Sequence, residues 1–291
     1  MQAANNFICN LTLIALIAII SGCDIINPAD PVPAYIQVDQ ITVEPVSGTG
    51  TTRQKFGEVW VYFNDNFVGA YSVPAVIPLI ASGQVELMLF PGIRVNGIQS
   101  TADFYPFFEP YTISATLIPG ETLTIDMHTR YRSNAIIAYI EDFESSHRLT
   151  DDLDDDPATF VERIADGAFE GNGSGRIVLT NDADFIQVAS VPVLTDLPVN
   201  GTPVYLELHY KNNVEFSIGL VGHGQGIEPA SVSILVLRPQ EDWNKVYVEL
   251  TPAFRASQLD GYQVLYTAAH DSALERSEIF LDNMKLVHIA Q

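Results

Sequence analysis

The stretch Val204-Tyr205-Leu206-Glu207-Leu208-His209-Tyr210 alternates strictly, and this period of two limits the fold more than any other feature. In an extended chain Val204, Leu206, Leu208 and Tyr210 face one way; Tyr205, Glu207 and His209 face the other. Val246, Val248 and Leu250 alternate in the same way with Tyr247 and Glu249. Antiparallel sheets with one packed and one solvated face carry this pattern. Elsewhere, β-branched and aromatic runs are punctuated by 17 Pro and 19 Gly, a composition of strands and turns. The expectation is an all-β chain. The two cysteines, Cys9 and Cys23, both precede the strand-rich part. No disulfide supports it, and its stability rests on its core.

An apolar run, Leu11 to Ile20, ends in Ile20-Ser21-Gly22-Cys23. It is too short for a membrane-spanning helix, which needs ~20 residues. The stretch resembles the lipobox of bacterial lipoproteins, although Met1 to Asn10 has no Lys or Arg. The resemblance implies a signal peptide over 1–22, lipid on Cys23, and a membrane anchor at the outer membrane or cell surface of a Gram-negative bacterium. A plain secreted chain is the rival reading. Residues 23–34, with three prolines between Asp24 and Ala34, make an extended spacer.

Residues 35–131 read as an Ig-like β-sandwich. Glu58 to Tyr71 is a hairpin turning at Asn64-Asp65-Asn66, residues that tolerate left-handed backbone. Both faces of Val59 to Phe63 are apolar, so this strand is expected to be covered on both sides. Val85 to Phe90 is a strand expected to stop at Pro91-Gly92. Phe104-Tyr105-Pro106-Phe107-Phe108 lies between strands. It either closes one end of the sandwich or serves as a sticky loop for a partner or a sugar. Arg132-Ser133-Asn134 reads as a polar hinge.

Residues 135–291 form a second unit with seven or eight strand-like runs. It opens with Ala138-Tyr139-Ile140-Glu141-Asp142-Phe143-Glu144. It continues through Phe169-Glu170-Gly171-Asn172-Gly173-Ser174-Gly175 and Trp243 to Leu250, and closes with Glu278 to Val287. In this order the segments resemble the galactose-binding-like jelly rolls, which include many carbohydrate-binding modules. The resemblance implies a jelly-roll β-sandwich. It also implies one structural Ca²⁺ between Glu144 and Asp282, completed by carbonyls near Gly171, and no other cofactor. The insertion Asp151 to Asp156 departs from the family. Counted from Asp152 it opens like an EF-hand loop, but Pro157 stands where Gly is required and Arg163 where Glu is required. Asp156-Pro157 instead predicts a helix from Ala158 to Ala165, ending at Gly167.

With 36 acidic and 14 basic residues, the net charge is -22. That excludes nucleic acid, which needs clustered Lys and Arg, and a basic surface on anionic lipid. No G-x-S-x-G, H-E-x-x-H or phosphate loop occurs, so no enzyme is expected. The candidate ligand-binding residues are Tyr205, Glu207, His209 and Tyr247 on the outward strand face, joined by Glu249, Tyr262 and Tyr266. Two readings of function follow. One is a lipid-anchored envelope protein that binds glycan through the jelly roll. The other is an accessory lipoprotein that binds a protein partner in an envelope complex.

Overall fold

The computed structural model describes residues 30–290. The expected signal peptide over 1–22, Cys23 and most of the expected spacer lie outside the described residues.

Strand pairing divides the chain into two β-sandwiches. In the first, β1 (Ala34–Val38) lies between β5 (Ala75–Leu79) and β9 (Thr122–Thr124), and β2 (Ile41–Val43) pairs with β10 (Met127–Thr129). The facing sheet runs β4 (Asn66–Ser72), β3 (Glu58–Phe63), β6 (Gly83–Arg94), β7 (Ala102–Phe104), with β8 (Tyr111–Leu117) also on β6. Alternate residues meet between the layers: Ile36, Val38 and Ile77 from one, Val59, Val61, Leu87 and Leu89 from the other. The β3–β4 hairpin turns on Asn64 and Asp65, both at positive φ (45° and 63°). β6 does not stop at Pro91-Gly92. β8 pairs with it only through Leu89 and β7 begins at Gly92, so Pro91 falls where neither neighbour needs its missing N–H.

In the second sandwich, one sheet runs β13 (Glu162–Ile164), β14 (Ser174–Leu179), β22 (Ser277–Ile289), β17 (Val204–Asn212), β20 (Gln240–Glu249), with β11 (Ala135–Glu141) on β22. The other runs β12 (Leu149–Asp152), β15 (Phe185–Ser190), β21 (Gly261–Ala269), β18 (Phe216–Gly224), β19 (Ile227–Leu237), with β16 (Leu194–Thr195) on β21. Val204, Leu206, Leu208 and Tyr210 enter the core between these sheets, as the alternation requires. Tyr262 and Tyr266 enter the same core, so they belong to no outward face.

The helix expected at 158–165 is absent. Asp156 caps only a turn, accepting the Ala158 N–H at 3.0 Å, and Glu162–Ile164 joins the sheet as β13. Arg163 fixes that edge by donating to the carbonyls of Phe143, Glu144 and Asn172. The run Thr159-Phe160-Val161 favours extended backbone over helix. The helix among the described residues is α1 (Thr251–Ser257), with Pro252 in its first turn and Gln258 left-handed at its end. It buries Phe254 against Tyr262, ring centroids 4.3 Å apart.

Candidate functional site

The face of β17 expected to meet solvent is covered. Tyr205, Glu207, His209 and Tyr247 are all buried, and the first sandwich is what covers Tyr205, Glu207 and Tyr247. Alternation separates the two faces of a strand but does not say what lies on each. Tyr105, Phe107, Phe108 and Tyr131 of the first sandwich pack against Tyr205, Tyr247 and Val287 of the second, with Ile93 beside them. The rings of Tyr105 and Tyr247 meet at 4.9 Å, edge to face. Three residues of the Phe104–Phe108 loop, Tyr105, Phe107 and Phe108, therefore neither close a sandwich end nor lie free; they join the two sandwiches. Backbone bonds tighten the joint. Asn96 donates its N–H to the Tyr247 carbonyl at 2.8 Å, and the Asn96 side chain accepts the Glu249 N–H at 2.9 Å. The polar segment Arg132-Ser133-Asn134 is pinned too. Arg132 donates to the Phe107 and Phe108 carbonyls, and the Asn134 carbonyl accepts the Ala290 N–H.

Glu207 sits fully buried at the centre of this seam. It accepts hydrogen bonds from Lys245 Nζ at 2.7 Å, the Tyr105 hydroxyl at 2.9 Å and the Tyr131 hydroxyl. Lys285, its partner across the strands, donates to the Thr51 carbonyl at 2.7 Å. Burial pushes the carboxyl up, but the two ammonium groups and these bonds prevail and hold Glu207 down at about 2. The same burial lowers Lys245, and lowers Lys285 to about 8. His209 stacks on Phe169, ring centroids 4.0 Å apart. Burial, reinforced by Lys245, drops it to about 2, and its Nδ1 has no partner.

Glu144 and Asp282 hold the glycine-rich loop through its amides. Glu144 accepts the Asn172 backbone N–H at 2.6 Å and its side-chain amide at 3.0 Å. Asp282 accepts the N–H groups of Phe169, Glu170 and Asn283 at 3.0, 3.2 and 2.7 Å. Ca²⁺ needs six to eight oxygens; these carboxylates face amide donors on each of their oxygens. No group of three or more His, Cys, Asp or Glu is placed to hold a metal among the described residues. The donor set does not fit the expected Ca²⁺. Gly171 is required here: at φ +71°, a Cβ would lie 2.0 Å from Glu144 Oε1.

Two surface features remain beside the seam. The outer face of β4-β3-β6-β7 is open rather than covered. Trp60 and Tyr62 of β3, Phe67 of β4, Phe90 of β6 and Phe104 of β7 form one aromatic stripe, with Phe67 52% and Phe104 38% exposed. Trp60 stacks on Phe67 at 5.3 Å and meets Phe104 at 6.1 Å, while Phe90 meets Tyr62 and Phe104, each at 5.5 Å. Gln84, Glu86, Thr112, Ser114 and Thr116 are exposed on β6 and β8 beside it. Toward the second sandwich the same face continues through Ser72 and Arg94. There it enters a groove of about 760 Å³ between the sandwiches, whose far wall is Leu235 to Arg238 with Asn244.

No family model and no curated protein matches this chain. Among solved structures it is similar to the CBM22-1 xylan-binding domain of Xyn10C from Paenibacillus barcinonensis, at 12% identity and a TM-score of 0.41. The match covers 55% of this chain and 99% of that one. It is also similar to a family 30 carbohydrate-binding module (13% identity, 55% of this chain, 90% of that one, TM-score 0.37). A third is the K3 adhesin domain of Lys-gingipain from Porphyromonas gingivalis (16% identity, 53% of this chain, 98% of that one, TM-score 0.37).

Glu207→Gln removes the buried carboxylate between the two ammonium groups, leaving them only the more distant Glu170, and is expected to cost about 3–5 kcal/mol in urea denaturation; a loss under about 1 kcal/mol removes the seam's ionic role. His209 also sets an acid limit. Its pKa is depressed in the folded chain, so below the usual 6.5 the unfolded chain takes up a proton that the folded chain refuses. Its contribution is present above pH 6.5 and is lost as pH falls. Asp282, raised to about 7 by burial, has the opposite sign, its contribution falling as pH rises from 3.8. Comparing His209→Phe with wild type isolates the first effect: the variant's melting temperature should fall less between pH 6.5 and 4.5. Added Ca²⁺ or chelator should leave the melting temperature unmoved, and a shift of several degrees would reinstate the cation.

Proposed function

We propose that the chain is a non-catalytic glycan-binding protein of the bacterial envelope, anchored through lipid on Cys23. Its recognition surface is the outer sheet face of the first sandwich rather than the jelly roll. The aromatic stripe Phe67–Trp60–Phe90–Phe104 is the observation that carries this reading. Pyranose rings present C–H faces that pack on aromatic rings, and their hydroxyls need hydrogen-bonding side chains alongside. Gln84, Glu86, Thr112, Ser114 and Thr116 supply those side chains next to the stripe. A contiguous exposed apolar patch on a folded chain marks an interaction site, and the polar row beside this one favours a sugar over a dry protein interface.

The test is retardation in native gels containing a panel of soluble polysaccharides. Wild type should be retained, and Trp60→Ala should weaken retention roughly tenfold. Tyr205→Ala and Tyr247→Ala, which act in the seam, should lower stability instead. No retention on any polysaccharide, together with Trp60-dependent capture of a defined envelope protein from membranes, would give the protein-partner reading in its place.

A further inference from the structure

We infer that the groove between the sandwiches selects an anionic glycan, taking its carboxylate or sulfate groups on Lys55 and Arg238 while the aromatic stripe holds neighbouring sugar rings. This inference rests on the glycan-binding reading above and specifies the ligand's charge.

The distribution of charge is the first argument. The chain has 36 acids and 14 bases, yet the groove is lined by Lys55, Arg94, Arg238 and Lys245 and by no Asp or Glu. Two of these cations are committed. Arg94 pairs with Glu58 at 3.1 Å, and Lys245 pairs with Glu207 at 2.7 Å. Lys55 and Arg238 have no carboxylate within salt-bridge distance among the described residues. Lys55 Nζ donates to the Asn244 side chain, a neutral acceptor. Burial, and after it the nearby Arg94 charge, lower the Lys55 pKa.

Position is the second argument. Lys55 stands at the rim of the first sandwich and Arg238 at the β19–β20 turn of the second, so an anion in the groove lies between cations from both sides. Apolar walls flank them: Ile98 is 48% and Val236 54% exposed. Gly57, Ser72 and Arg94 join the groove to the aromatic face, since Glu58, Trp60 and Tyr62 alternate onto that face along β3, and Phe90 and Arg94 along β6. One extended ligand can follow the stripe into the groove. The chain as a whole carries a net charge of -22 and repels a polyanion, so the groove, lined by cations and by no acid, is where such a chain can settle.

The experiment is affinity electrophoresis of the purified protein in gels carrying polygalacturonate, chondroitin sulfate or neutral hydroxyethylcellulose, at low salt and at about 0.5 M salt. Both side chains are exposed, so Lys55→Gln with Arg238→Gln should fold, which near-UV circular dichroism checks. Wild type should be retained on a polyanion and released by salt. The double variant should lose roughly tenfold in apparent Kd, as for the loss of charge-assisted hydrogen bonds. Retention on polygalacturonate alone assigns the carboxylate, and retention on chondroitin sulfate with the same dependence on Lys55 and Arg238 extends the site to sulfate. Polyanion binding unchanged in the double variant, or retention only on the neutral polymer with Trp60 dependence, overturns this inference and leaves the glycan reading standing. No retention on any of the three overturns both.

Discussion

The carboxylate of Glu207, out of water between two ammonium groups and two phenols, is the constraint on which the two-sandwich arrangement depends. Neither sandwich can satisfy it alone. The second supplies Glu207, Lys245 and Lys285; the first supplies the hydroxyls of Tyr105 and Tyr131 and the Thr51 carbonyl. A buried ion pair is stable only when its remaining bonds are made, because desolvation of each charge costs several kcal/mol. With the sandwiches apart, these groups would exchange partners for solvent and the surrounding tyrosines would be exposed. The polar cluster thus specifies one docking geometry, and aromatic rings from both sandwiches pack around it.

That joint decides which surfaces remain for recognition. The jelly roll spends the seam-facing side of its β11-containing sheet on the first sandwich. The five-stranded sheet of the first sandwich keeps its outer face, where Trp60, Phe67, Phe90 and Phe104 form a stripe that no element covers. The groove lies where residues of both sandwiches face each other beside the seam. Its cations come from both bodies, so its shape and charge are properties of the joint.

The periodicities were legible and their surroundings were not. Val204 to Tyr210 alternates as read, and the β3–β4 hairpin turns where Asn64 and Asp65 allow positive φ. A period of two separates the faces of a strand and says nothing of what packs on either. So Tyr205, Glu207 and His209 looked solvated and are buried, while Val59 to Phe63 looked doubly covered and has one face, Trp60 and Tyr62, only half-buried. Lys245 and Lys285 stand in strands that also carry other polar residues, so neither is conspicuous by itself. Their relation to Glu207 and His209 appears only once register places Glu207 opposite Lys285 and His209 opposite Lys245. The groove had no sequence signal, since Lys55, Arg94 and Arg238 are far apart in the chain. Glu144 and Asp282 accept amide N–H groups of the glycine-rich loop and of Asn283, contacts that no spacing in the sequence announces.

The placement of β22 has a consequence for biogenesis. This strand lies beside β11, β14 and β17 and also carries Lys285 and Val287 into the seam. Until Ser277–Ile289 has been synthesised, the second sandwich lacks the middle of one layer, and the joint lacks one of its two ammonium groups. A nascent or truncated chain can complete the first sandwich but not the assembly. Without this strand the second sandwich keeps open edges on β11, β14 and β17, and the seam loses Lys285 and Val287.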